Sequence, residues 1–338
     1  MKTIGILTSG GDSQGMNAAI RAVTRTALNS GFRVMGIRKG YLGLITGDIV
    51  ELTATSVSDI INRGGTMLRS ARCLEFKEEA GVLQAVETCK KFGIDGIVVI
   101  GGDGSFRGAR DLTLHGVPCV AIPGTIDNDI VCSEDTIGFD TALNICIDLV
   151  DYLRDTSASH NRCSVVQIMG RNAGWVTLEA SLATGATVTL VPEVAFDFHA
   201  DVVEKIKKGQ ELGKDYFIVM VSEGIFFNVK SNKNYEYLQS LGINNAADFA
   251  KRIEEETGIV SRESVFGHVQ RGGSPTAHDR ILATTMGKYA VELLGQGISN
   301  RVIVVRDGKI VDLDILEALS MEKPFDVERL QMANMLNI

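Results

Sequence analysis

Two short glycine runs with an acid inside them are the first chemically informative features of the chain. SGGDSQG occupies residues 9–15 and GGDGS residues 101–105. Each follows an apolar run and precedes a helical pattern. Backbone N–H groups in such a loop can cradle phosphate, and the helix N-terminus adds partial positive charge. Neither run has the spacing G-x-x-x-x-G-K-[ST] or G-x-G-x-x-G, which removes a Walker loop and a dinucleotide fingerprint. Asp103 puts a carboxylate where phosphates would lie. That is useful if it holds Mg²⁺, an ion that takes one or two carboxylates together with substrate phosphates. An acid stabilised by the dipole of the following helix is the other reading of Asp103.

The segment PGTIDND, residues 123–129, adds two carboxylates, Asp127 and Asp129, beside Thr125. An i, i+2 pair in an extended loop can point both acids to one side. Phosphoryl transfer needs a base for the alcohol proton and metal ions to spread charge, and this cluster could serve it. A solvated Asx-turn would use the same residues without chemistry. Arginines complete the set. MGRNAG carries Arg171 at a strand end, SARC carries Arg72, GHVQRGGSP carries His268 and Arg271, and Arg162 and Arg262 are read as lying just before strands. One arginine is usually a solvated surface group, and one histidine is usually packed. Together they read as an anion pocket in an otherwise acidic protein, since Arg binds phosphate bidentately.

These residues need a scaffold, and the patterning supplies one. Apolar β-branched runs at 3–8, 96–100, 117–123, 164–168 and 216–221 alternate with helical periods. Continuous apolar strands separated by helices imply parallel sheets covered on both faces. The unusual residues follow the strands at their carboxyl ends, where open α/β sheets bind ligands. The stretch 226–245 reads as an irregular polar insertion before a helix over Ala246–Thr257. At 338 residues the chain has room for two α/β lobes. A net charge of −8 argues against a nucleic-acid surface. No apolar run is long enough to span a bilayer, and the start MKTIGILTSGGD has no signal-peptide pattern, so a soluble cytoplasmic protein is expected. The six cysteines contain no C-x-x-C pair and are read as buried free thiols.

In order, SGGD, NRGGT, GGDGS, PGTIDNDI, MGRNAG and GHVQRGGSP resemble the motifs of the bacterial ATP-dependent 6-phosphofructokinases, over nearly the whole chain. The resemblance implies two Rossmann-like three-layer lobes with mainly parallel sheets. It places an ATP-binding lobe at 1–138 plus 270–320 and a fructose 6-phosphate lobe at 139–269 plus 321–338. It further implies Mg²⁺ with ATP as co-substrate, transfer to the 1-hydroxyl, and a homotetramer with shared active sites. Gly11, Arg72, Cys73, Gly102, Asp103, Gly104 and Ser105 would line ATP, with Asp103 on the metal. Thr125, Ile126, Asp127 and Asp129 would hold the reacting end of the sugar, Asp127 as base. Met169, Gly170, Arg171 and Glu223 would contact the sugar and the transferred group. His268 and Arg271 would bind the 6-phosphate, joined by Arg162 and Arg262 from a neighbouring subunit.

The family's effector site resembles Arg21, Arg25, Ser58, Asp59, Arg154, Gly185 and Lys214. Here Ala54 replaces a common Arg, Thr187 a metal-binding carboxylate and Leu212 a lysine, which implies weak or altered control by ADP and phosphoenolpyruvate. The pyrophosphate-dependent branch typically carries Asp at position 104 and Lys at 124, whereas this chain has Gly104 and Gly124. ATP is therefore the expected donor. An NAD or lipid kinase would lack the PGTIDND and HVQRGG runs. A kinase for another sugar phosphate, a nucleotide sensor and an oxidoreductase remain as alternatives of the same fold.

Overall fold

The computed structural model describes residues 1–230 and 232–336. Within these the chain divides into two compact units. The first comprises Met1–Ile126, Ile130–Thr141 and Arg271–Lys323, and the second Asp127–Asp129, Ala142–Gln270 and Pro324–Ile338. The last two residues of the second unit, 337–338, lie outside the described residues.

In the first unit the chain runs β1 (Thr3–Ser9), α1 (Met16–Asn29), β2 (Arg33–Ile37), α2 (Gly40–Thr46), β3 (Ile49–Leu52), α3 (Glu79–Phe92), β4 (Gly96–Gly101), α4 (Asp103–Leu114) and β5 (Cys119–Pro123). The helix α5 (Phe139–His160) then carries the chain into the second unit. There it forms β6 (Cys163–Ile168), α6 (Trp175–Thr184), β7 (Val188–Leu190), α7 (Glu204–Glu211), β8 (Phe217–Ser222), α8 (Tyr235–Ser240), α9 (Ala246–Thr257) and β9 (Ser261–Val265). The first unit is completed by α10 (Ala277–Gly295), β10 (Arg301–Arg306), β11 (Lys309–Asp314) and α11 (Ile315–Ser320), and the second by α12 (Val327–Met335).

Seven strands form the first sheet in the order β11-β10-β5-β4-β1-β2-β3. Its interior is parallel, and only the two edge strands, β3 and β11, pair antiparallel. Because side chains alternate along a strand, the sheet feeds two cores. Ile4, Ile6, Val98, Ile100, Val120 and Ile122 pack with α1 and α10 on one side. Leu7, Ile97, Val99, Cys119 and Ala121 pack with α2, α3, α4 and α11 on the other. Helices α1 and α10 approach so closely that a Cβ on Gly287 would sit 2.9 Å from that of Ala22. The second unit has an all-parallel sheet, β7-β8-β6-β9, with Val165, Val219 and Val221 packed against Phe198, Ile206, Phe249 and Ile253. The α/β class with mainly parallel sheets thus follows from the apolar runs, each flanked by helices.

The stretch 226–245 departs from its reading as an irregular insertion. It contains α8, and Leu238 and Ile243 are buried. Asn234 is buried too, accepting from Phe196 N at 3.1 Å and donating to Val194 O at 3.0 Å. Apolar residues among the polar ones fasten the stretch to the unit. Residue 231 within it lies outside the described residues. All six cysteines are free, five buried and Cys73 half-buried.

Candidate active site

The SGGDSQG loop turns at Gly10, whose φ of 87° is left-handed, and enters α1 through Gly15 at φ 99°. Side chains of the loop bind other motifs of the same unit. Ser13 Oγ donates to Ile137 O at 2.9 Å, and Gln14 Nε2 to Gly272 O at 2.6 Å. At the start of α1, Asn17 donates to Arg63 O and Gly64 O and accepts from Met67 N. Ser274 Oγ donates to Asn62 O, and a Cβ on Gly64 would lie 2.3 Å from Gly273 O. SGGD, NRGGT and RGGSP are therefore one packed cluster, although more than 200 residues separate the first from the last. A Cβ on Gly11 would meet Arg271 Nη1 at 2.8 Å, and that nitrogen donates to Asp12 O at 2.9 Å. The Arg271 guanidinium thus lies over the loop that carries Gly11.

The GGDGS loop joins β4 to α4 beside it. Ser105 Oγ donates to Ser9 O at 3.1 Å, so this buried hydroxyl ties the two glycine loops together. A Cβ on Gly101 would meet Ser9 O at 2.3 Å, and Tyr41 Oη donates to Ser105 O. Gly104 differs: it has no left-handed φ, and a Cβ there would find no atom within 4 Å. Nothing in the fold demands glycine at this point, and the space it leaves opens outward. Gly102 is nearly as open, with Thr125 Cβ at 3.9 Å. Asp103 is exposed at the first turn of α4, and both its oxygens accept from Arg107, at 3.0 and 3.2 Å. An exposed i, i+4 pair of this kind contributes no more than about 1 kcal/mol, so the carboxylate can exchange partners. No group of three His, Cys, Asp or Glu poised for a metal occurs among the described residues. One carboxylate beside a phosphate cradle suits Mg²⁺ that arrives on a polyphosphate. Arg72 is exposed and makes no ion pair among the described residues, while burial raises the pKa of the neighbouring Cys73 thiol.

PGTIDND continues β5. Thr125 N donates to Ile137 O at 3.1 Å, and Thr136 Oγ1 to Thr125 O at 2.8 Å. Gly124 is a packing glycine: a Cβ would sit 3.0 Å from Ile100 Cγ2 and 3.2 Å from Met16 Cε. Its bareness belongs to the core, unlike that of Gly104. The chain leaves the first unit after Ile126, so that Thr125 and Ile126 belong to it and Asp127 and Asp129 to the second. Asp127 is 7% exposed. The extended loop inferred for the two acids is corrected here, because Asn128 between them has φ 49° and the backbone bends. Short polar Asn tolerates the left-handed region better than other residues.

In the second unit the MGRNAG loop follows β6. Arg171 is exposed at φ 54°, an unusual conformation for a long side chain, and such strain clusters at ligand sites. Glu223, at the end of β8, holds it: Oε1 accepts from Arg171 N at 2.8 Å and Gly170 N at 3.3 Å. Gly170 allows the turn, since a Cβ would meet Ala173 O at 2.3 Å. Sequence reasoning missed Glu193, whose Oε1 accepts from Gly174 N at 2.8 Å at the far end of the same loop. Burial raises its pKa, opposed by that N–H. The two glutamates bracket the loop around the half-buried Met169. Arg162 lies immediately before β6 and makes no side-chain ion pair among the described residues. Arg262 lies within β9 rather than before it, and its Nη1 donates to Glu254 Oε2 at 3.0 Å. His268 is exposed in the turn Gly267–Arg271.

Of the residues resembling an effector site, Arg21, Arg25, Ser58 and Asp59 belong to the first unit. Arg25 has a buried Nε without a hydrogen-bond partner among the described residues, and Asp59 has φ 55°. In the second unit, Lys214 Nζ donates to the buried Thr187 Oγ1 at 3.3 Å, and Arg154 donates to Thr184 O. Gly185 terminates α6 at φ 63°. Burial, and secondarily the Arg154 charge, lowers the pKa of Lys214. Leu212 is 70% exposed.

The phosphofructokinase family model matches residues 3–294. An ATP-dependent 6-phosphofructokinase of Halothermothrix orenii is 50% identical, over 100% of both chains. That of Bacillus subtilis is 49% identical, again over 100% of both. The solved phosphofructokinase of Saccharomyces cerevisiae superimposes with a TM-score of 0.83 at 32% identity, over 94% of this chain and 45% of the yeast chain. This chain therefore spans less than half of the yeast one. A pyrophosphate-dependent phosphofructokinase of Marinobacter aquaeolei, covering 100% of this chain and 93% of its own, has a TM-score of 0.81 at 20% identity, a likeness of fold alone.

Proposed function

Because the chain belongs to the phosphofructokinase family, we propose that it transfers the terminal phosphoryl group of ATP to the 1-hydroxyl of fructose 6-phosphate, yielding ADP and fructose 1,6-bisphosphate for glycolysis. The observation that carries this reading is the pair of tied glycine loops with open space at Gly104. A glycine required by neither backbone nor packing is explained by a ligand that fills its place, and an α-phosphate fits there.

The nucleotide lies along Gly11, Arg72, Cys73 and Gly102 to Ser105. Ser105 contributes backbone, its hydroxyl being held by Ser9 O. Asp103, released from Arg107, would hold a Mg²⁺ brought by the nucleotide, which would offset phosphate charge. The sugar's 1-oxygen attacks the terminal phosphorus, the bond to the bridging oxygen of ADP breaks, and the hydroxyl proton passes to the Asp127 carboxylate. Thr125, Ile126 and Asp129 position the acceptor. Arg171 and Arg72 offset charge on the transferred group, and Arg171 is presented by the loop that Glu223 fixes. His268 and Arg271 bind the 6-phosphate, Arg271 exchanging the Asp12 carbonyl for a phosphate oxygen, with Arg162 and Arg262 contributed by a neighbouring subunit of a cytoplasmic homotetramer.

Arg21, Arg25, Asp59, Arg154, Gly185 and Lys214 form an effector site with altered response. Lys214 and Arg154 would welcome an anion, while Thr187, Leu212 and Ala54 supply neither metal ligand nor cation. Burying a diphosphate without them weakens binding by roughly two decades or more. Release of ADP, followed with and without fructose 6-phosphate, tests the reaction. Dependence on the sugar phosphate is expected, and ADP release indifferent to it would reject the proposal.

A further inference from the structure

We infer that Asp279 is a positioning residue for phosphoryl transfer: from inside the first unit it clamps residues 138–141 and so fixes Thr125, from which the chain runs to the base. Asp279 is 0% exposed at the third position of α10. Thr276 accepts from Asp279 N as the helix cap. An acid at this position of a Thr-x-x-Asp start ordinarily reaches back to the capping residue's own N–H. Here Thr276 N donates instead to Thr141 Oγ1 at 3.0 Å. The Asp279 carboxylate is spent on a distant segment: Oδ1 accepts from Gly138 N at 2.7 Å, and Oδ2 from Thr141 N at 2.9 Å and from the Thr141 hydroxyl.

These donors sit at the start of α5, where unpaired N–H groups and the helix dipole favour an anion. The segment they anchor does two further things. Ile137 N donates to Pro123 O, Thr125 N donates to Ile137 O, and Thr136 Oγ1 closes on Thr125 O, so residues 136–137 extend β5 by one paired step. Ile137 O also accepts from Ser13, and Gly138, at φ 107°, leaves room for Ser13 Cβ, 2.5 Å from where its own would stand. The carboxylate therefore belongs to one connected network with α10, the first glycine loop and the last residues before Asp127. Both chain segments that leave the first unit here, after Ile126 and after Thr141, start from it.

The site needs an acid rather than an amide. Three donors converge on two oxygens, and an Asn side chain would turn an N–H against one of them. Burial pushes the Asp279 pKa up, and the Thr141 and Gly138 donors oppose that shift. Asp279, Gly138 and Thr141 are none of the residues placed on a substrate, so their effect on the reaction is exerted through position.

The inference rests on Asp127 being the base, and the test separates the two. Asp279→Asn, Thr141→Val and Thr141→Ser are compared with the full-length wild type for kcat, KM of both substrates, and hydrogen exchange of residues 123–141. Misplacing the base by a fraction of an ångström should lower kcat by about tenfold to a hundredfold in Asp279→Asn and Thr141→Val, with KM for ATP changed by less than about threefold. Exchange should quicken over 124–126 and 136–141, and Thr141→Ser, which keeps the hydroxyl, should retain wild-type kcat. Wild-type kcat in a folded Asp279→Asn would overturn the inference. So would equal impairment of the Ser and Val variants, or exchange raised evenly along the chain. If instead Asp127→Asn is fully active while the clamp variants are slow and locally loosened, the base assignment fails and the clamp stands.

Discussion

Gly104→Asp should strengthen the fold and cripple the use of ATP. In the protein itself a Cβ at this exposed position meets no neighbouring atom within 4 Å and needs no left-handed backbone. At the second position of α4 it replaces glycine inside a helix and places an acid in the first turn. Each change stabilises by about 0.5–1 kcal/mol, so the melting temperature should rise by roughly 1–3 °C. Toward ATP the sign reverses. A carboxylate about 5 Å from a phosphate charge, at an effective dielectric constant of about 20, costs about 3 kcal/mol, or roughly a hundredfold in kcat/KM for ATP. Gly104→Ala separates charge from bulk and should keep most of the activity while gaining the stability of lost chain entropy. Gly124→Ala is the contrasting case, because its Cβ would press on Ile100 and Met16 and should destabilise by about 1–3 kcal/mol. Steady-state ADP release across a range of ATP concentrations, paired with thermal melts, reads both axes. A Gly104→Asp protein with wild-type kcat/KM for ATP, or one that melts lower, would show that position 104 is not reserved for the nucleotide.

Three further outcomes follow from the same geometry. Asp127→Asn keeps the shape of the loop and removes the proton acceptor, so kcat should fall by roughly 10²–10⁴ while KM changes much less; near-wild-type turnover would remove Asp127 from the mechanism. Glu223→Gln weakens the charge-assisted bonds to Gly170 N and Arg171 N, and the strained Arg171 turn should relax. KM for fructose 6-phosphate should then rise by about tenfold, and an unchanged KM would show that the loop holds itself. His278 Nε2 lies 2.5 Å from Asp135 Oδ2, and despite desolvation the bond to Asp135 raises its pKa above the ordinary 6.5. A raised folded pKa gives stability that is complete below 6.5 and fades as pH rises through the folded value. The melting-temperature advantage over His278→Gln should therefore shrink above that pH, and a constant gap would show that the charge contributes nothing.

The central strands were legible because burial on both faces leaves continuous apolar runs, as in TIGILT, GIVVI and SVVQI. Edge strands were not. SRESV, which becomes β9, carries exposed Arg262 and Glu263, so the sequence places a strand only after Arg262, whereas β9 begins at Ser261. The candidate site motifs stood out by residue type, as glycines, acids and arginines gathered at strand ends. What the sequence did not show is which groups the fold itself consumes. The Ser105 hydroxyl is spent on Ser9, the Asp103 oxygens on Arg107, one Glu223 oxygen on two backbone N–H groups, and Gly124 on packing. Most of these partners lie many residues away, and local pattern carries no record of them. Asn128 is the opposite case, since its backbone bends within the motif where an extended pair of acids was the simpler expectation.

The donor is the most direct test of the account. Initial rates of fructose 1,6-bisphosphate formation should be measured at saturating fructose 6-phosphate and Mg²⁺, with ATP in one series and pyrophosphate in the other. The open space at Gly104 predicts turnover with ATP and none with pyrophosphate. Comparable rates with the two donors, or a preference for pyrophosphate, would contradict it.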